Sequence, residues 1–146
     1  MIAVDSNILV HAHWFDSPWH AQASECIASL AESRAPWFIP WPCIHEFLAV
    51  VTHHRVFNPP SSMDKALAQV ELWLESPSLT LRSESDHHLE TLRRLLQAGK
   101  ITGPATHDAR VAAICIDHGV RELWSADRDF SRFKDLRVVN PLVDRS

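Results

Sequence analysis

The chain has 146 residues, of which 46% are hydrophobic, and its 14 basic and 18 acidic residues give a formal net charge of −4. This length predicts one domain spanning residues 1–146, with enough apolar residues to bury a core. The negative charge argues against a protein that binds nucleic acid by bulk electrostatics. No apolar run is long enough to cross a membrane, and the N-terminus lacks the basic region of a signal peptide, so we expect a cytoplasmic protein.

Hydrophobic periodicity and turn residues divide the chain into short strands and helices. The predicted elements, in chain order, are a strand Ile2–Val4, a helix Ser6–Trp14, a helix opening at Ser17-Pro18, a strand Trp37–Ile39, a helix from Pro42, a helix from Ser61 that ends by Ser76-Pro77, a strand Leu79–Leu81, a helix Ser85–Ala98 stopped by Gly99, a helix from Pro104 to Gly119, a strand Val120–Trp124, a short helix Asp127–Phe133 and a strand Leu136–Val139. This alternation predicts an α/β domain in three layers: a parallel sheet of about five short strands flanked by helices.

Apolar residues at helical spacing indicate which helix faces lie inward. The helix after Ser61 presents Leu67, Val70 and Leu74, and the helix Ser85–Ala98 presents three leucines, Leu89, Leu92 and Leu96. The three cysteines are far apart in apolar surroundings and odd in number, which predicts buried free thiols rather than disulfides or a zinc site: Cys26, Cys43 and Cys115.

Acidic residues follow two of the predicted strands. Asp5 comes directly after the first strand, and Asp127 and Asp129 follow the fourth. Because the carboxyl ends of parallel strands meet at one edge of a sheet, we expect these acids to lie close together. Asp108 near the start of one helix and Glu46 on another could reach the same edge. Carboxylates gathered in this way repel one another unless a divalent cation binds, and oxygen ligands favour Mg²⁺, for which Mn²⁺ can substitute.

Each acid also has an ordinary explanation. Asp5 could cap the helix that follows it, and Asp127 could cap the short helix in which Asp129 is a first-turn acid. Glu46 could be a solvated helix residue, and Asp108 could complement a helix dipole. These explanations treat the acids one at a time, and they do not account for the convergence on one edge of the sheet.

The sequence offers less support for other kinds of catalytic site. The chain has ten histidines, but they lack the spacing of a zinc protease site, and the sequence contains neither a glycine-rich phosphate loop nor a nucleophile elbow. The Asp5-x-Asn7 pattern only weakly resembles haloacid-dehalogenase phosphatases, which need a second aspartate where this chain has Asn7. Large aromatic side chains in the N-terminal half could cover a partner surface: Trp14, Trp19, Trp37 and Trp41.

Four segments together resemble one known family over essentially the whole chain. They are Asp5-Ser6-Asn7, Glu46 within IHEFLAVV, Asp108 within THDARVAAICIDHG, and Asp127 with Asp129 within WSADRDFSRF. These segments resemble the PIN-domain ribonucleases, and within them the VapC-type toxins of toxin–antitoxin pairs. The resemblance implies that Asp5, Asp108 and Asp127 bind the metal and that Glu46 completes the catalytic set.

The resemblance also implies supporting residues and partners. Asp129 would be an accessory acid, and hydrogen bonds would come from Ser6, Asn7 and Ser125. The implied activity is that of a Mg²⁺-dependent endoribonuclease, in which activated water cleaves RNA phosphodiester bonds, and which forms a homodimer inhibited by a cognate VapB-type antitoxin. Four basic residues lie near the predicted acids: Arg110, Arg128, Arg132 and Lys134. They could attract RNA phosphates, or they could simply be solvated residues at the rim of the site, and the two explanations are equally good. The alternative is a non-catalytic PIN-like module that binds RNA or protein.

Overall fold

A computed structural model describes residues 1–143. Its strands, β1 to β5, are Ile2–Val4, Trp37–Pro40, Leu79–Arg82, Glu122–Trp124 and Arg137–Val139. Its helices, α1 to α6, are Ser6–His13, His20–Glu32, Trp41–Val51, Met63–Leu74, His88–Gly99 and Thr106–Asp117. Two short 3-10 helices, Gly103–Ala105 and Arg128–Arg132, precede α6 and follow β4. No helix within the described residues is both long enough and apolar enough to cross a bilayer.

The five strands form one parallel sheet in the order β3-β2-β1-β4-β5. In this register Ile2 lies opposite Trp37 on one side and Glu122 on the other. Helices α1 to α4 contact one another as one group, and α5 contacts α6. Right-handed crossovers place these two groups on opposite faces, because the chain turns back across the sheet between β3 and β4. The predicted three-layer α/β architecture is confirmed.

The short strands are buried because helices cover both faces of the sheet. All four residues of β2 are buried, and Ala3, Val4 and Leu123 are fully inaccessible to solvent. On the α1–α4 side, the Phe47 ring packs edge-on against the ring of Trp73 with centroids 4.9 Å apart, which joins α3 to α4. The cysteines are buried free thiols, as predicted. Strands that are buried on both faces read as continuous apolar runs, which explains why they were recognisable in the sequence.

The inward faces of α4 and α5 differ from the prediction. The buried residues of α4 include Val70 and Trp73, whereas the predicted Leu67 and Leu74 are 42% and 46% exposed. In α5, Leu89 is 65% exposed. Both helices carry leucines on overlapping i, i+3 and i+4 rows, and the packing of neighbouring helices, rather than periodicity alone, decides which row faces inward.

Helix α5 also differs at its ends and in how its inward face is held. It begins at His88 rather than Ser85 and includes Gly99, and Lys100 adopts the left-handed conformation with φ of 50°. On its inward face the Thr91 hydroxyl donates a 2.6 Å hydrogen bond to Asp117 of α6. The buried hydroxyl of Thr91 therefore has a hydrogen-bond partner. A pattern based on hydrophobic residues alone cannot identify Thr91 as an inward-facing residue.

The tryptophans divide into buried and surface residues. Trp37 is fully buried in β2, and its indole N–H donates to the Ser76 hydroxyl at 3.1 Å. The prediction that Trp37 could cover a partner surface is therefore wrong. The side chains of Trp14, Trp19 and Trp41 remain 36–38% exposed.

The observed packing of α4 predicts a contrast between two adjacent residues. Replacing Trp73 by Ala should lower the free energy of unfolding by about 3 kcal/mol, because the cavity would open beside Phe47. Replacing Leu74 by Ala should lower it by about 1 kcal/mol or less, because that side chain is half exposed. Urea unfolding followed by circular dichroism measures both values. A loss for Leu74→Ala as large as that for Trp73→Ala would contradict the observed packing of α4.

Candidate acidic metal centre

A pocket of about 400 Å³ opens at the carboxyl ends of β1 and β4. The strand order reverses at this point, which is where open parallel sheets form ligand-binding crevices. The walls of the pocket come from α1, α3, α6 and the segment after β4. The residues that line it are Asp5, Ser6, Asn7, Val10, His11, Pro42, His45, Glu46, Val50, His107, Asp108, Arg110, Val111, Asp127 and Phe130. The four acids assigned to the catalytic set in the sequence therefore lie in one pocket.

Asp5 is buried at the base of this pocket. Its carboxylate caps α1 by accepting the backbone N–H of Ser6 at 2.7 Å, so the capping role that was considered as an alternative is also present. The same carboxylate accepts the hydroxyl of Ser125 at 2.7 Å, the amide of Asn7 at 3.1 Å and the thiol of Cys43 at 3.4 Å. Burial raises the pKa of the Cys43 thiol, which keeps its proton available for this contact. Both carboxylate oxygens are thus held by protein donors.

Asn7 and Ser125 join the ends of the two central strands. The Asn7 amide donates to the Ser125 hydroxyl at 3.1 Å and accepts the backbone N–H of Ala126 at 3.0 Å. The Ser125 hydroxyl in turn accepts the backbone N–H of Asp127 at 3.0 Å. These bonds fix the path of the chain immediately before Asp127.

Asp108, Asp127 and Asp129 form the tightest acidic group. One carboxylate oxygen from each lies within 4.8 Å of the other two, and Asp5 is not a member of this group. Asp127 also accepts the backbone N–H of Asp129 at 2.9 Å and so caps the 3-10 helix. The family resemblance implies only an accessory role for Asp129, whereas the structure places its carboxylate beside the other two. Carboxylate oxygens gathered in this way are compatible with a divalent cation.

Burial and mutual repulsion raise the pKa values of the acids. The pKa of Asp108 rises to about 6 because of its partial burial and the charges of Asp127, Asp5 and Asp129. Burial raises the pKa of Asp5. Burial and the charges of Asp5 and Asp127 raise that of Glu46, against the opposing effects of a hydrogen bond from Ser6 and the charge of His107. A bound divalent cation would relieve this repulsion among the carboxylates. Their oxygens therefore fit such an ion as ligands.

The basic residues near the pocket are largely paired. Arg110 lines the pocket, but its guanidinium binds Glu84 at 3.0 Å. Arg132 lies 3.8 Å from the Asp129 carboxylate and donates to the Asp129 carbonyl. Arg128 lines a neighbouring pocket and makes no ion pair with another residue of the range 1–143. The three candidates for RNA steering therefore differ in how freely they could meet a phosphate.

The structure adds pocket residues that the sequence analysis did not assign. His11 lies one helical turn beyond Asn7 on the same face of α1, so helical spacing could have revealed it. The contact of Cys43 with Asp5 depends on the pairing of β1 with β2, for which the sequence offers no local indication.

Comparison with known proteins connects this geometry to a family. The chain matches no family model. It is 34% identical over 142 residues to ribonuclease VapC43 of Mycobacterium tuberculosis (strain ATCC 25618 / H37Rv), which covers 97% of this chain and 96% of the relative. It is 32% identical over 141 residues to ribonuclease VapC31 of the same strain, which covers 97% and 99%.

Solved structures share the fold at lower sequence identity. The Mycobacterium tuberculosis toxin VapC20, described as cleaving the sarcin–ricin loop, superposes with a TM-score of 0.68 at 16% identity and covers 94% of this chain and 99% of that one. A chain of a toxin–antitoxin complex from Klebsiella pneumoniae superposes with a TM-score of 0.63 at 17% identity and covers 97% and 98%. The PIN-like fold inferred from the sequence is confirmed, and the relatives above show that the chain belongs to the VapC family of ribonucleases.

The raised pKa of Asp108 predicts a stability change when its charge is removed. The folded chain holds the Asp108 proton up to a pH of about 6, whereas the unfolded chain releases it near the ordinary aspartate pKa of 3.8. Between these two values the folded state binds more protons, so Asp108 lowers stability progressively as the pH rises and does so fully above pH 6.

Replacing Asp108 by Asn should therefore stabilise the metal-free protein by about 1 kcal/mol at pH 7.5, a value reduced for the solvent exposure of the group. The gain should disappear near pH 3.5. Thermal unfolding in EDTA at both pH values measures this difference, and an equal effect at the two pH values would contradict the electrostatic explanation.

Proposed function

We propose that this chain is a Mg²⁺-dependent endoribonuclease that acts as the toxin of a type II toxin–antitoxin pair, with residues 1–146 working as one domain in the cytoplasm. Mn²⁺ would replace Mg²⁺ at the same site. The observation that carries the proposal is the group of Asp108, Asp127 and Asp129, whose crowded carboxylates line or border the pocket at the switch point of the sheet. Membership in a family of ribonucleases supports RNA as the substrate.

Asp108 and Asp127 would hold the metal, together with Asp129 or Asp5. Asp129 is favoured by its distance, because its carboxylate is within 4.8 Å of the other two. Asp5 would bind the metal directly if it exchanged the Asn7 hydrogen bond for the ion, and otherwise it adds its charge from the base of the pocket. When bound, the ion supplies Lewis acidity and lowers the pKa of a coordinated water.

Glu46 would act on the attacking water rather than on the metal. It lines the pocket from α3, and it is not a member of the close carboxylate group. A carboxylate in that position accepts a hydrogen bond from water and turns its oxygen toward a phosphorus atom. Burial and the charges of Asp5 and Asp127 raise the pKa of Glu46, against a smaller opposing effect of His107, and a raised pKa makes its carboxylate a stronger proton acceptor.

The partners follow from the relatives and from the exposed surface. We propose a homodimer and a cognate VapB-type antitoxin, because a fold neighbour was solved as a toxin–antitoxin complex. Exposed aromatic side chains of the N-terminal half would anchor such partners, with Phe15 at 84% exposure and Trp14, Trp19 and Trp41 at 36–38%. Large aromatic residues dominate the binding energy of many interfaces.

The proposed division of labour predicts different defects for Asp108 and Glu46. Asp108→Asn should abolish Mn²⁺ binding in calorimetry and reduce cleavage of RNA by at least about 100-fold, because a metal ligand is lost. Glu46→Gln should reduce kcat by about 100-fold while Mn²⁺ still binds, because only the contact with water is lost. Cleavage is measured as the release of fluorophore from a quenched 12-nucleotide RNA of random sequence.

Glu71→Gln is the matched control, since it removes an exposed carboxylate from α4 outside the pocket. It should leave Mn²⁺ binding and cleavage unchanged. A wild-type protein that takes up no Mn²⁺ and cleaves no RNA would favour the non-catalytic PIN-like module instead.

A further inference from the structure

His11 occupies a distinctive place in the acidic pocket. It lines the pocket from α1, and its ring nitrogen Nδ1 lies 2.6 Å from the hydroxyl of Ser17. No other residue of the range 1–143 hydrogen-bonds to the second ring nitrogen, Nε2. One nitrogen of the ring is thus tied to the protein, and the other is free for a ligand.

The Ser17 hydroxyl determines which nitrogen of His11 carries the proton. Ser17 is buried, and its oxygen already accepts the backbone N–H of Trp19 at 3.0 Å. A hydroxyl has one proton to donate, and within the described chain the only acceptor near it is Nδ1 of His11. Donation to Nδ1 satisfies this buried group, whereas the opposite arrangement leaves its proton without a partner, which is unfavourable for a buried hydroxyl. His11 is therefore held with its proton on Nε2.

Besides His11, two further histidines line this pocket, His45 and His107, and among these three rings only that of His11 is held by a hydrogen bond to another residue of the range 1–143. The carboxylates can only accept hydrogen bonds when they are ionised. Asn7 uses its amide group on Asp5, Ser125 and Ala126, and Arg110 is paired with Glu84. Burial lowers the pKa of His11, so the ring stays neutral near pH 7 and keeps a single N–H to donate. A neutral donor attracts an anionic substrate without competing with a cation for the acids.

His11 lies away from the site of cleavage. It is six residues along α1 from Asp5, which corresponds to about 9 Å of helix rise. A group at this separation meets a part of an extended RNA strand next to the cleaved bond rather than the cleaved bond itself.

We propose that His11 is a substrate-binding residue whose Nε2–H donates a hydrogen bond to a phosphodiester oxygen flanking the bond that is cut. Ser17 is the positioning residue that fixes its tautomer. This inference rests on the proposed ribonuclease function, and it assigns to one pocket wall a contact with the RNA backbone that is independent of the metal.

Two substitutions separate this role from a structural one. The amide of Gln can place a donor where Nε2 stands, whereas the amide of Asn reaches only the position of Nδ1 and so preserves the contact with Ser17. His11→Ala and His11→Asn should raise KM for the quenched random-sequence 12-nucleotide RNA by about tenfold, with kcat within about twofold of wild type. His11→Gln should restore KM to within about threefold of wild type. Mn²⁺ binding in calorimetry should be unchanged in all three variants.

The tautomer is measured independently of RNA. Long-range ¹⁵N–¹H correlation spectra of the wild-type protein should show His11 protonated on Nε2, and Ser17→Ala should lose this preference. Protonation on Nδ1 in the wild type overturns the inference, as does rescue of KM by His11→Asn rather than His11→Gln. A KM unchanged in His11→Ala overturns it as well, while cleavage by the wild type leaves the proposed function standing. A wild type that cleaves no RNA overturns both.

Discussion

Repulsion among carboxylates at the ends of β1 and β4 is the constraint around which this pocket is organised. Asp5 is buried beneath the pocket, Asp108, Asp127 and Asp129 approach one another closely, and the pKa of Asp108 rises to about 6. A folded chain tolerates such strain when something of opposite charge binds there, and two of the three nearby arginines, Arg110 and Arg132, are already paired with Glu84 and Asp129. The energetic cost in the metal-free protein would thus be the source of the proposed affinity for a divalent cation.

Neutral hydrogen bonds hold this charge in place. Asn7 and Ser125 connect the first helix to the segment after β4, and both donate to Asp5. Asp5 and Asp127 are therefore held at the ends of two adjacent strands, and the substrate would meet carboxylates that need little rearrangement. In the proposed arrangement the cation and the RNA would have separate anchors, because His11 lies on α1 and is not a member of the close group of acids.

The sequence predicted the architecture and most of the pocket, since both depend on local patterns. Buried parallel strands are apolar runs, and the acids directly after them lie at one edge by the geometry of the fold. The prediction that Leu74 of α4 and Leu89 of α5 face inward is wrong. Each helix carries leucines on more than one row along its surface, and only tertiary packing decides which row faces the core. The place of Asp129 in the close group depends on the turn of a 3-10 helix, and periodicity does not describe such a turn.

The most direct test of this account is a crystal structure of the protein with Mn²⁺, measured at a wavelength where manganese scatters anomalously. The account predicts an anomalous peak at about 2.0–2.2 Å from carboxylate oxygens of Asp108 and Asp127, with Asp129 or Asp5 as a further ligand. A pocket without such a peak at saturating Mn²⁺, or a peak on acids elsewhere on the surface, would contradict the claim that these carboxylates are gathered to bind a metal.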